Sequence, residues 1–143
     1  MPLSADLSER VASPALSHCR DGYVLVVEDE ESLAELLGHL LRRLGVQVLT
    51  AGDGKNALSL FEQHREVIVL AFVDCNLPDI PGAKLCEKMR LLSPDLPLLL
   101  TSGRNQDALE EALKAGGPCE FLAKPYLPNE VLRRVTALLA AIE

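Results

Sequence analysis

The chain has 143 residues, 48% of them hydrophobic and 24% charged, with a formal net charge of −7. That length supports one domain with a sizeable core and no need of disulfide or metal staples. The acidic balance excludes a nucleic-acid binder built on a basic stripe, no apolar run is long enough to span a bilayer, and the N-terminus lacks a hydrophobic signal core, so a cytoplasmic protein is expected.

Residues 1–21 mix Ser, Pro, Ala and charges without a sustained period and read as a flexible tail or linker. Tyr23-Val24-Leu25-Val26-Val27 is the first expected strand, ending on Glu28, Asp29, Glu30 and Glu31. Leu33, Leu36, Leu37, Leu40, Leu41 and Leu44 follow at helical spacing, with Gly45 as the stop. Acids in a first turn suit the helix dipole, which accounts for Glu30 and Glu31 better than for Glu28 and Asp29.

Val46 to Leu49 is a second strand, and Asp53 is placed to cap a helix with Ala57, Leu60 and Phe61 inward. Val67 to Val73 is an unbroken apolar run, too short for an ordinary helix and rich in β-branched types. It reads as a strand buried on both faces. The run stops at Asp74, and Pro78, Pro81 and Gly82 enforce a loop before a helix with Leu85, Met89 and Leu92 inward.

Pro94 and Pro97 bracket a turn before a fourth strand, Leu98 to Thr101, which opens into Ser102-Gly103. A helix over Asp107 to Ala115 ends at Gly116-Gly117-Pro118, and Phe121 to Ala123 is a short fifth strand followed by Lys124-Pro125. Pro128 starts the last helix, with Val131, Val135, Leu138, Leu139 and Ile142 on its buried face. Five strands alternating with five helices predict an α/β fold with a doubly wound parallel sheet. The order 2-1-3-4-5 would set the ends of strands one and three side by side at a switch point.

Cys19, Cys75, Cys86 and Cys119 have no C-x-x-C spacing and no neighbouring histidine, so zinc and disulfides are unsupported. Cys75 reads as a small packing residue, and His18, His39 and His64 as surface or flanking residues.

The polar residues that stand out all fall where a strand ends: Glu28, Asp29, Asp74, Ser102 and Lys124. Three carboxylates on one edge repel one another unless a cation collects them, and a hard divalent ion such as Mg²⁺ prefers oxygen ligands. The segments V-L-V-V-E-D-E, V-D-x-N-L-P-D-x-x-G, L-T-S-G and F-L-A-K-P resemble the receiver domain of bacterial response regulators, and the resemblance spans Gly22 to Glu143.

That resemblance implies a flavodoxin-like fold for residues 22–143 and a phosphoacceptor role for Asp74 in a two-component phosphorelay. Glu28, Asp29, Asp74 and the backbone carbonyl of Asn76 would hold Mg²⁺. Ser102 would bond a phosphoryl oxygen, Phe121 would change rotamer with it as a switch, and Lys124, followed by a cis Lys–Pro bond, would supply positive charge. The implied donor is a sensor histidine kinase or a histidine phosphotransfer domain. Homodimerisation on phosphorylation is also implied, with no direct contact to nucleic acid or membrane, and the protein is a signalling acceptor rather than an enzyme.

Two departures stand out: Leu77-Pro78 replaces the common Met-Pro, and Gly116-Gly117-Pro118 replaces Ala-Gly-Ala before the last strand. The tail before Gly22 favours a receiver excised from a longer protein, such as a hybrid sensor kinase, over a stand-alone one. A haloacid-dehalogenase-type phosphatase is the enzymatic rival, but it needs its nucleophile on the first strand. A pseudo-receiver, a pure interaction module, is disfavoured by the full set Glu28, Asp29, Asp74, Ser102 and Lys124.

Overall fold

The computed structural model describes residues 22–103 and 118–140. In chain order they form β1 (Tyr23–Val27), α1 (Glu31–Arg42), β2 (Gln47–Ala51), α2 (Gly54–His64), β3 (Ile68–Asp74), α3 (Gly82–Leu92), β4 (Leu98–Ser102), β5 (Cys119–Ala123) and α4 (Pro128–Ala140). The helix expected over 107–115, the tail 1–21 and Ile142 lie outside the described residues.

Each strand pairs in parallel with its neighbours, and the sheet runs β2-β1-β3-β4-β5, the order expected from the sequence. Alternate strand residues feed two separate cores. Leu25, Val27, Ala71, Val73, Leu98 and Leu100 meet Phe61 of α2 and Leu85, Cys86 and Met89 of α3. Val24, Val26, Leu70, Phe72 and Leu99 meet Leu37 and Leu41 of α1 and Val131, Val135 and Leu139 of α4. Burial of each such large side chain contributes about 1.5–3 kcal/mol, so these two layers carry the fold.

Three expected core positions are exposed. Val67 is 39% exposed, because it precedes β3 at the lower edge of the sheet, where its N–H closes the end of α2 on the His64 carbonyl. Leu36 is 48% exposed; each residue turns a helix by about 100°, which carries it off the stripe of Leu37 and Leu41. Leu92 is 38% exposed, and Arg90 occupies the inward place on that last turn of α3.

The helix ends follow local chemistry. Asp53 caps α2 by accepting from the Asn56 N–H at 2.8 Å. Gly45, at φ 90°, takes the left-handed conformation that stops α1. Gly82 is needed for a different reason: a Cβ there would lie 2.5 Å from the Cys75 Cα, so the loop after β3 closes back-to-back on the strand end.

Candidate functional site

The register sets the C-terminal ends of the strands level, with Val27 beside Val73, Asp74 beside Thr101 and Ser102 beside Ala123. Backbone bonds carry this ladder one residue further. Glu28 N–H donates to the Ala51 carbonyl, Cys75 N–H to Thr101 and Lys124 N–H to Ser102. The residues singled out at strand ends are therefore fixed to rigid backbone.

Asp74 and Glu28 are 3% and 2% exposed, unusual burial for carboxylates, and they share one counter-charge. Lys124 Nζ lies 3.2 Å from Asp74 Oδ2 and 3.2 Å from Glu28 Oε1. The remaining oxygens accept from backbone, Asp74 Oδ1 from Asn76 N–H at 2.9 Å and Glu28 Oε2 from Glu30 N–H at 3.2 Å. Asp29 is exposed at the rim. Ser102 donates its hydroxyl to the side-chain oxygen of Asn76 at 3.3 Å, which links the end of β4 to the loop after β3. The Lys124–Pro125 peptide is cis, as the resemblance implies.

Electrostatics here are frustrated. Burial is the largest influence on Glu28 and raises its pKa, Asp74 adds to that, and the bonds from Glu30 and Lys124 only partly offset it. For Lys124, burial works against the charge, but the attraction of Asp74 and Glu28 outweighs it and holds the ammonium above its ordinary range. Glu28, Asp29 and Asp74 each place a ligand atom within 4.8 Å of the others, so the donor set is all oxygen and rich in charge. One ammonium does not neutralise three carboxylates. The set fits a hard divalent cation such as Mg²⁺.

The site and, apart from Tyr23, the described sheet lie within the span matched by one family model, the response regulator receiver domain, over residues 24–136. The chain belongs to the response regulator receiver family. Among relatives, the receiver is 40% identical over 119 residues to "Probable transcriptional regulatory protein TcrX" of Mycobacterium tuberculosis, covering 81% of this chain and 49% of that one. It is 32% identical to the alkaline phosphatase synthesis transcriptional regulatory protein PhoP of Bacillus subtilis, covering 84% and 49%. The chain thus spans about half the length of the curated relatives it matches. Among solved structures, the CheY-like response regulator receiver domain protein of Methanospirillum hungatei JF-1 superposes with a TM-score of 0.77 at 25% identity, over 84% of this chain and 94% of that one. As a receiver domain, this chain is a component of two-component signalling.

Phe121 lies on β5, half-buried against the core of α2 and α3. The receiver's cysteines behave as packing residues: Cys75 and Cys86 are free and buried, and burial pushes the Cys75 thiol up to about 11. His39 is exposed, and His64 stacks on Tyr23. No helix among the described residues is long and apolar enough to cross a membrane.

Three residues of this receiver escape a reading from sequence. Arg90 is 8% exposed and donates from Nε to the Leu96 carbonyl at 3.1 Å and from Nη2 to the Pro118 carbonyl. Pro118, at the departure from Ala-Gly-Ala, therefore receives Arg90 as well as Leu98 N–H, and β5 starts in register after it. Only its position four residues after Cys86, on the buried face of α3, hints at this role. Tyr126 packs edge-on against Phe72 with its hydroxyl buried and unpartnered among the described residues. Asp79, in the loop after β3, bonds the start of α2, 25 residues back in the chain. No local signal points to that contact.

Proposed function

We propose that this receiver accepts a phosphoryl group on Asp74 from the phosphohistidine of a sensor kinase or histidine phosphotransfer domain, and that the acyl phosphate is its signalling form. The observation that carries this reading is the pair of contacts from Lys124 to Asp74 and Glu28 at 3.2 Å, inside a cluster of three carboxylates.

In the step itself a carboxylate oxygen of Asp74 bonds to phosphorus as the phosphorus–nitrogen bond breaks, returning its electron pair to the donor imidazole. Such a transfer needs little covalent help; it needs alignment and positive charge around the equatorial oxygens. Asn76 N–H fixes the rotamer of Asp74, and Lys124 is close enough to follow charge from the carboxylate to the phosphoryl group. Glu28, Asp29, Asp74 and the Asn76 carbonyl would hold Mg²⁺, which when bound supplies further positive charge to the phosphoryl oxygens. Ser102 reaches the same loop and would take a phosphoryl oxygen, passing the change to Phe121. The chain is then an acceptor that assists its own modification, rather than an enzyme turning over a separate substrate, and its setting is the cytoplasm.

The test is labelling of the protein with acetyl phosphate and Mg²⁺, followed by mapping of the modified residue. Label should require Mg²⁺ and vanish in Asp74→Asn. Label that persists at Asp29 would overturn the assignment, and no label at all would leave a pure interaction module.

A further inference from the structure

The metal site proposed above takes one ligand from a loop rather than a strand, the Asn76 carbonyl, and something must hold that loop still. Its base is fixed by Cys75 N–H on the Thr101 carbonyl at 2.8 Å and by Gly82 N–H on the Cys75 carbonyl at 3.1 Å. Its far side is fixed by Asp79. One oxygen of that carboxylate accepts from Gly54 N–H at 2.8 Å and Ile80 N–H at 2.9 Å, the other from Lys55 N–H at 2.9 Å. Asp53 independently takes the Asn56 N–H, so two carboxylates from distant parts of the chain divide the first turn of α2 between them. The contact is also shaped sterically: a Cβ on Gly54 would lie 2.4 Å from Cγ1 of Ile80.

We infer that Asp79 is a positioning residue for the metal site, clamping the loop of Asn76 to the start of α2 so that the Asn76 carbonyl is held for the cation. This rests on the reading of Glu28, Asp29, Asp74 and Asn76 as the Mg²⁺ site. The clamp acts through geometry alone, because Asp79 itself is not among the clustered acids. The bonds from the α2 backbone lower the pKa of its carboxyl, so the clamp is charged at neutral pH.

The capping contribution and the positioning contribution separate experimentally. Mg²⁺ affinity is measured by calorimetry on the folded chain, well below its melting temperature, for the parent, Asp79→Ala, Asp79→Asn, Gly54→Ala and Asp53→Ala. Asp79→Ala should weaken Mg²⁺ roughly three- to tenfold. Asp79→Asn keeps one acceptor oxygen and should recover most of the loss. Gly54→Ala, which forces Ile80 away from the other side of the contact, should weaken binding even if Asp79→Ala does not fold. Asp53→Ala removes a cap from the same helix end without touching the loop, so it should lower the melting temperature and leave Mg²⁺ affinity at the parent value. Unchanged affinity in Asp79→Ala or Gly54→Ala, or an equal loss in Asp53→Ala, would overturn the inference. Asp29→Asn and Asp74→Asn run alongside: if they bind Mg²⁺ as well as the parent does, it is the reading of the metal site that fails.

Discussion

Ser102 is joined to Asn76, hydroxyl to side-chain oxygen, at 3.3 Å, across 26 residues of chain. Its neighbour Thr101 is fully buried, and its hydroxyl has no hydrogen-bond partner among the described residues. Adjacent hydroxyls on one strand therefore have different standing: Thr101 meets the loop that carries Asn76 through its backbone carbonyl, Ser102 through its hydroxyl. Ser102→Ala should leave Asp74 open to phosphorylation while uncoupling it from Phe121, read by the Phe121 ring signals with and without beryllofluoride. Thr101→Val exchanges an unsatisfied hydroxyl for a methyl and should be neutral or stabilising by up to about 1 kcal/mol. A silent Ser102→Ala with an uncoupled Thr101→Val would place the register of the site one residue away.

Asp29 stands exposed at the rim while Glu28 is buried and held by Lys124, so the two adjacent acids are not equivalent. Removing the charge at Asp29 should therefore cost metal without costing fold. Asp29→Asn is expected to weaken Mg²⁺ roughly tenfold with the urea midpoint unchanged. Equal affinity in parent and variant would return Asp29 to a plain helix-start role.

Gly82→Ala would press a methyl group against backbone on two sides, 2.5 Å from the Cys75 Cα and 3.1 Å from the Asp74 carbonyl oxygen. Backbone at a strand end yields little, so destabilisation of about 1–3 kcal/mol is expected by urea unfolding. The displaced strand end also carries Asp74, so labelling by acetyl phosphate should slow. A variant as stable and as readily labelled as the parent would show that the closure is looser than the contact implies.

Asp79 gives a pH signature. The bond from Gly54 N–H is the leading cause of its lowered pKa, with those from Lys55 and Ile80 adding and burial opposing. A carboxyl lowered in the folded state stabilises it above the unfolded value of about 3.9, and the contribution is lost as pH falls through the folded value. Parent and Asp79→Asn should therefore differ in urea midpoint at pH 7 and converge as pH drops below about 4. A gap that stays constant down to pH 3 would mean that the carboxylate charge is irrelevant to the contact.

The strand-end residues were legible because they follow from local pattern, apolar runs that stop at Val27, Val73 and Ala123, each followed by an ionisable residue. The order of the strands came with the family resemblance, because an apolar run does not say which strand it pairs with. Asp53 was legible as a cap for the same reason, its acceptor being three residues away. Of the misplaced positions, Leu36 and Val67 adjoin the core residues Leu37 and Ile68, and Leu92 is the last residue of α3; hydropathy alone does not say which side of a helix or strand end faces in. Asp79 and Arg90 were illegible for a deeper reason. Their partners are backbone groups 25 and 28 residues away, and backbone groups leave no trace in side-chain identity.

The division of apolar side chains between two faces of one sheet has a thermodynamic consequence. Phe61 lies in the core under α2 and α3, Leu139 in the core under α1 and α4, and the strands separate them. Truncations at these two positions share no collapsing neighbours, so their costs should sum to within about 0.5 kcal/mol in the double variant. Leu37 and Leu139 sit in the same core, where a cavity left by one can be filled partly by relaxation around the other. Their double truncation should depart from the sum. The receiver thus offers two separate compartments in which substitutions accumulate, each sensitive to its own history and indifferent to the other's.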